Sequence, residues 1–570
     1  MTLLPIVARE LRVASRRVAT YWTRFTFALL AVVVGSFAWA ILIREAPRQT
    51  GIALFISISV VAYLYTLLAG AIWAADAVSE EKRDGTLGLL FLTDLRSYDI
   101  VLGKLAASSV TAVYGLLAIF PVLAIPLLLG GVAGAEFWRV VLVCLNNLFL
   151  SLALGLLCSS LCKDERKSIG LTVALVALLT AGWPALVAWV SSQLSNGHPL
   201  FHLFRDDPFP LMLLCPGMTC VFAFDSMYNE MLRGGKFNWF YPTLAATHLL
   251  GWGALGLTTL ILPRVWQDKS ASAKTLRRRE QWQLLTAGPS DTRAAFRRRL
   301  LDINPFYWLA SRERFKVALV WLWLGLVAVF WLLGLIQARR EWLAASTYLM
   351  TALALHSFFK CWVAMEASRR LGQDRRSGAL ELLLCTPLSV GDILRGQWLA
   401  LLRQFGGACA LIVAADAIFL ALGLKDSHSA DDRRDWVLMW LAGTAMFVLD
   451  LVALTLLSMW MSLKNRKPTQ AAIGAILLVC LIPWVLFAAF GAAAAVLDEV
   501  FKFKFVASNR QAMFFLAAWS VIGFAMSGWL AIHSLQNLRA NFRTCALDRS
   551  ELRAPLWKRL LRMKPAEPAR

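Results

Sequence analysis

The residues best suited to recognition chemistry lie in two stretches, 80–104 and 373–397, that share one frame. Adding 293 to the residue number carries Gly85 onto Gly378, Leu87 onto Leu380, Leu89 and Leu90 onto Leu382 and Leu383, Thr93 onto Thr386, Leu95 onto Leu388, Asp99 onto Asp392 and Gly103 onto Gly396, without a gap. Each copy opens on charges (Glu81 to Asp84; Asp374 to Arg376), bends at a glycine, continues through leucines at helical spacing and re-enters an apolar run. The glycine permits a sharp turn, and the leucines form one apolar face beside a membrane. Such a segment offers non-covalent chemistry: an apolar anchor inside a charged rim, suited to another protein's surface. An idle hinge drifts in length, so the ungapped repeat argues for a shared task.

A second group of polar residues sits inside apolar runs: Asn146 and Asn147, Asp416, and Asp450. Ionisable groups in hydrocarbon are costly and face a cavity or a partner. Interhelical hydrogen bonding is the simpler reading for them, and a place on a translocation path the sharper one. His248 and His356 stand singly and read as packed or interfacial. Pro184 and Pro483 fall at matched places in two runs, where kinks serve packing or a path equally well. The ten cysteines show no metal spacing. Cys215 and Cys220 read as two buried thiols or, less simply, a small disulfide. No G-x-x-x-x-G-K-[ST] loop is present to cradle a phosphate, so no catalytic residue and no bound cofactor are expected.

The elements that must position these residues follow from composition. With 59% hydrophobic residues, a mean hydropathy of +0.61 and 24 Trp in 570 residues, the chain is too apolar for a soluble protein of its length. The sequence predicts an all-α polytopic membrane protein with about twelve transmembrane helices in two parallel six-helix repeats. Runs long enough to span lie near 25–43, 51–75, 105–130, 137–161, 169–192 and 243–263, and again near 317–336, 342–366, 398–424, 436–461, 471–496 and 512–534.

Most of the 58 Lys and Arg fall on the side holding both termini, both repeated stretches and the central linker, which places that side in the cytoplasm of a cell membrane. The net charge of +22 is then mainly this bias, with attraction to anionic lipids. No aromatic-basic module supports nucleic-acid binding. The expected organisation is a first half over 1–263, with a basic interfacial helix over 1–24 rather than a cleavable signal, and an outer re-entrant segment over 193–240. A basic linker, 264–302, with a helix near 270–287, leads to a second half over 303–538. That half opens on an interfacial helix over 303–316, and a basic tail covers 539–570.

The second stretch, G-A-L-E-L-L-L-C-T-P-L-S at 378–389, resembles the G-T-L-E-L-L-L-x-T-P-L-S pattern of the ABC type-2 permease family, the membrane subunits of ATP-binding-cassette transporters. The first copy keeps Glu81, Gly85, Thr86, Leu87, Leu89 and Thr93 but has Gly88 for the glutamate and Asp94 for the proline. The second has Ala379 for the threonine. The resemblance implies that Glu81, Gly85, Thr86, Leu87, Leu89 and Thr93, with Asp374, Gly378, Leu380, Glu381, Leu382, Thr386, Pro387 and Leu388, form two coupling elements. These would dock separate ATPase subunits, two per chain, with ATP and Mg held by the partners. It also implies a translocation route between the halves, and export. An ion-coupled secondary transporter with parallel repeats is the alternative, for which Asp416 and Asp450 are the only hints.

Overall fold

The computed structural model describes residues 19–42, 46–92, 95–193, 209–233, 237–265, 290–311, 315–339, 342–426, 429–465, 468–501 and 511–547. Thr93, the greater part of the 1–24 helix, the 270–287 helix and the tail beyond 547 lie outside them. Among the described residues there is no strand, and eleven helices are long and apolar enough to cross a membrane. The place of the expected first span is taken by α1 (Ala19–Leu42), whose described apolar part, Arg24–Ser36, is shorter than that criterion.

The chain forms two compact units that divide near residue 270, within the expected linker. The first holds α1, α2 (Pro47–Ala69), α3 (Ser79–Arg83), α4 (Thr86–Phe91), α5 (Ser97–Leu129), α6 (Gly134–Leu161), α7 (Glu165–Ala177), α8 (Trp183–Gln193), α9 (Pro216–Ala223), α10 (Asp225–Arg233) and α11 (Phe240–Val265). Its core runs along α6, with Phe55, Ile58, Leu116, Leu148, Leu152 and Phe240 among the enclosed side chains.

Small residues let α2 and α6 approach closely, the usual device where lipid supplies no hydrophobic drive between helices. A π turn, Gly70–Ala74, continues α2, and the Gly70 N–H donates to Ser151 Oγ at 2.8 Å while Ser151 Oγ donates to the Leu67 carbonyl at 2.7 Å. Further along, Ser159 Oγ accepts from the N–H groups of Val78 (3.0 Å) and Ser79 (2.9 Å). A Cβ on Gly70 would lie 1.8 Å from the Ser151 carbonyl oxygen. Gly70→Val is therefore expected to cost at least about 1–3 kcal/mol by overpacking and to lose its monodisperse peak in size-exclusion chromatography. Gly253→Ala, where a Cβ meets nothing within 4 Å, should keep it.

In the segment expected to lie outside, a 3-10 turn (Phe209–Met212), α9 and α10 are described; the turn lies by α8, and α9 and the start of α10 meet the start of α6. Arg139 pairs with Asp225, donates from Nε to the Ala223 carbonyl at 2.9 Å and stacks 4.1 Å over Tyr228, while Glu136 Oε1 accepts from the Asp225 N–H at 3.0 Å. Cys215 and Cys220 are free thiols there, and Cys215 Sγ donates to the Thr180 carbonyl at 3.6 Å. Burial pushes the Cys215 thiol up and that of Cys220 up to about 12, so neither ionises near neutrality.

The second unit holds α12 (Ser290–Leu301), α13 (Pro305–Ser311), α14 (Phe315–Ala338), α15 (Ala345–Arg376), α16 (Ala379–Leu384), α17 (Val390–Asp426), α18 (Ala430–Lys464), α19 (Pro468–Ile476), α20 (Ile482–Phe501) and α21 (Gln511–Leu547). Phe359, Phe405, Phe447, Leu457, Leu538 and Phe542 lie in its core. Where α2 is interrupted by a π turn, α15 runs unbroken for 32 residues. The two prolines are treated alike. A π turn precedes each of them, Leu178–Gly182 before Pro184 and Leu477–Leu481 before Pro483, absorbing the hydrogen bond that proline cannot donate.

Candidate functional site

Both repeated stretches fold the same way. Gly85 has φ 71 and ψ 4, and Gly378 has φ 76 and ψ 0. This left-handed conformation costs a side-chain-bearing residue about 1–2 kcal/mol, which accounts for glycine at both positions. Each glycine starts a helix of six residues, α4 or α16.

Six residues suffice to divide the leucines between two faces. Leu87 and Leu380 point into their units at 2% and 0% exposure, whereas Leu89 and Leu382 stand out at 62% and 73%. In the first copy Leu92 is exposed as well. In the second, Thr386 and Pro387 are exposed and Glu381 and Leu388 half-buried. The stretch ends on a carboxylate cap: Asp99 Oδ2 accepts from the Arg96 N–H at 3.0 Å, and Asp392 Oδ2 from the Ser389 N–H and Oγ at 3.1 and 2.6 Å.

Inside this frame the copies differ. Glu81 is buried rather than part of an exposed rim. Its Oε1 accepts from Lys104 Nζ on α5 at 2.8 Å, and its carboxylate also takes the Thr86 hydroxyl at the start of α4. Adding 293 maps these three residues onto Asp374, Ala379 and Gln397. There, Asp374 pairs with Arg370 on its own helix at 3.1 Å, and Gln397 Oε1 is buried with no hydrogen-bond partner among the described residues. The short helix of the second copy is seated differently: α16 packs near the end of α21, with Leu380, Phe542 and Cys545 in one core.

A third seat comes from the expected interfacial helix of the second half. Asn304 caps α13 by accepting from the Tyr307 N–H at 2.9 Å and donates from Nδ2 to the Asp392 carbonyl at 3.0 Å. Gly396 gives the room: a Cβ there would meet Asn304 Oδ1 at 2.6 Å. A helix unforeseen in the linker, α12, joins this corner, where Arg403 lies 4.4 Å over Phe296 and Arg297 lies 5.2 Å over Trp308.

The four polar span residues singled out in the sequence, Asn146, Asn147, Asp416 and Asp450, all make interhelical hydrogen bonds. Asn147 Nδ2 donates to Thr66 Oγ1 at 3.2 Å. Asn146 donates to Thr247 Oγ1 at 2.8 Å, and its Oδ1 lies 2.9 Å from His248 Nδ1. The second unit carries charges instead. Lys360 Nζ lies 2.7 Å from Asp450 Oδ2, whose other oxygen accepts from Ser527 Oγ at 2.6 Å. His356 Nε2 lies 2.9 Å from Asp416 Oδ2, which also accepts from Thr444 Oγ1 at 3.1 Å. Phe447 stacks on His356 at 4.1 Å and lies 6.0 Å from Lys360, joining the two pairs.

Residue-by-residue reading takes His356 as packed or interfacial and gives Lys360 no role. The signal for them is their i, i+4 spacing, which puts both on one face of the span. Among the described residues no group of three or more His, Cys, Asp and Glu is arranged to hold a metal.

A family model described as ABC-2 family transporter protein matches residues 45–336. That range takes in the first repeated stretch and ends before the second. No curated protein matches the chain.

Proposed function

Because this chain belongs to the ABC-2 family of transporters, as a membrane-embedded component of an ATP-binding-cassette transporter, we propose that it is the permease of an exporter with two permease halves in one chain. In this reading α4 and α16 dock separate ATPase subunits, two per chain, on the cytoplasmic side, and ATP and Mg are bound by those subunits. The observation that carries it is the doubled geometry: a left-handed glycine, a six-residue helix, one leucine buried and the next exposed, in both units. A large exposed leucine at the same place twice is a ready anchor for a partner cleft. The basic excess on that side also suits anionic lipid headgroups.

The purified chain is expected to hydrolyse no ATP by itself, and the activity should appear with the co-expressed ATPase subunits. Native mass spectrometry of the active complex should give one chain with two ATPase subunits. ATP turnover by the chain alone, or a complete active complex with a single ATPase, would refute the assignment.

The intramembrane pairs Lys360–Asp450 and His356–Asp416 favour a second reading, an ion-coupled transporter. Flux in ATPase-free liposomes under an imposed ion gradient would select it.

A further inference from the structure

The two docking helices are held by different means, and the difference singles out a residue that neither the repeat nor the family pattern marks. Three elements converge on Glu81: it belongs to α3, takes the Thr86 hydroxyl of α4 across the Gly85 turn, and is paired at 2.8 Å with Lys104 of α5. Glu81 and Lys104 are both buried. A buried pair with its hydrogen bonds satisfied rigidifies what it joins, and removing one member leaves an uncompensated charge. The same piece is tied down on its other side, where Arg83 pairs with Asp76 at 2.6 Å and donates to the Lys163 carbonyl at 3.0 Å. In the second copy the shorter Asp374 turns to Arg370, Ala379 lacks the hydroxyl and Gln397 carries no charge. No such brace spans the Gly378 turn among these three residues.

We propose that Lys104 is a positioning residue: acting through Glu81, it fixes the angle of α4 so that force at the first dock passes directly into α5, a link that Asp374, Ala379 and Gln397 do not form with one another at the second dock. The inference rests on the docking reading above. It assigns Lys104 no contact with the partner, since its ammonium is buried beneath the turn.

The test uses the complex of the full chain with its co-purified ATPase subunits, titrated with ATPase in proteoliposomes. Lys104→Met is expected to lower the maximal ATP hydrolysis conferred by the chain about tenfold, the scale of effect expected from a small misplacement of a working group. The ATPase concentration for half-maximal rate should stay within about twofold, because the exposed docking face is untouched. Lys104→Arg should restore the rate, and Gln397→Met should cost far less than Lys104→Met.

A wild-type Lys104→Met beside an uncoupled Leu89→Asp would overturn the brace and leave docking standing. A raised half-saturating concentration with an unchanged maximum would make Lys104 part of the contact surface and overturn it too, as would equal losses in Gln397→Met and Lys104→Met. If Leu89→Asp and Leu382→Asp are both wild type, the docking reading itself fails and the brace with it.

Discussion

Leu382→Asp is expected to leave the protein folded and inserted while abolishing coupled transport. Leu382 is 73% exposed, so a carboxylate there stays in water and the core loses nothing. If the leucine seats in an ATPase cleft, the aspartate must be desolvated on docking. Losing a central anchor costs at least about 2 kcal/mol, or about thirtyfold in the interaction, before the buried charge is counted. Leu89→Asp should act in the same direction but less severely, because the second copy keeps Glu381 and Pro387 of the family pattern where the first has Gly88 and Asp94. The neighbouring leucine supplies the contrast. Leu380 is fully enclosed against Leu538 and Phe542, and a charge placed there without a partner costs several kcal/mol, so Leu380→Asp should fail to fold. Size-exclusion profiles and ATPase assays on the three variants separate the cases. Wild-type transport by both Leu382→Asp and Leu89→Asp would show that the stretches are solvated hinges.

That contrast also marks how far the sequence alone could be read. The frame shared by Gly85 and Gly378 foretells two identical turns, because a left-handed residue is a strictly local demand. It does not foretell which leucine faces inward: in a helix of six residues every apolar position is near the rim, and the choice between Leu380 and Leu382 is made by where α21 and α15 pass.

Glu81 shows the same limit. As a charge ahead of a turn it reads as part of a solvated rim, and only the arrival of Lys104 from α5, 23 residues on, takes it inside. The α12 helix is hard to read for the opposite reason: Arg297, Arg298 and Arg299 dominate it, and its apolar face is only Phe296 with the buried Leu300, completed by contacts with Arg403 and Trp308.

Eleven of the twelve expected spans are plain from hydropathy, but the polar contents of the spans are legible only as isolated oddities. Asp450, Lys360 and Ser527 lie on three different helices, and distance along the chain says nothing of their meeting. The frame shared by the two stretches misleads here. The first unit has Asn146, Asn147, Thr66 and His248 in its spans, so the Lys360–Asp450 pair belongs to one unit and cannot be inferred by repeat.

That asymmetry sets up the second large effect, in the Lys360–Asp450 pair. Lys360→Leu leaves the Asp450 carboxylate, among the described residues, with the Ser527 hydroxyl, and Asp450→Leu leaves a half-buried ammonium without its carboxylate. Breaking a buried pair from one side costs about 3–5 kcal/mol, which at roughly 2–4 °C per kcal/mol for a body of this size is a fall in Tm of about 10 °C. Lys360→Leu with Asp450→Leu removes both charges and fills the space with apolar volume, and such replacements are often neutral. Ser527 can turn its hydroxyl back to a carbonyl of its own helix. The double variant should therefore recover most of the lost Tm in a thermal scan of detergent-solubilised protein. Transport by that variant then decides what the pair is for. If the two residues only pin α15 to α18 and α21, recovered stability brings recovered transport. If they line the path or bind what moves through it, the double variant is stable and inactive. A double variant as unstable as either single one would mean that the two charges do not act as a pair.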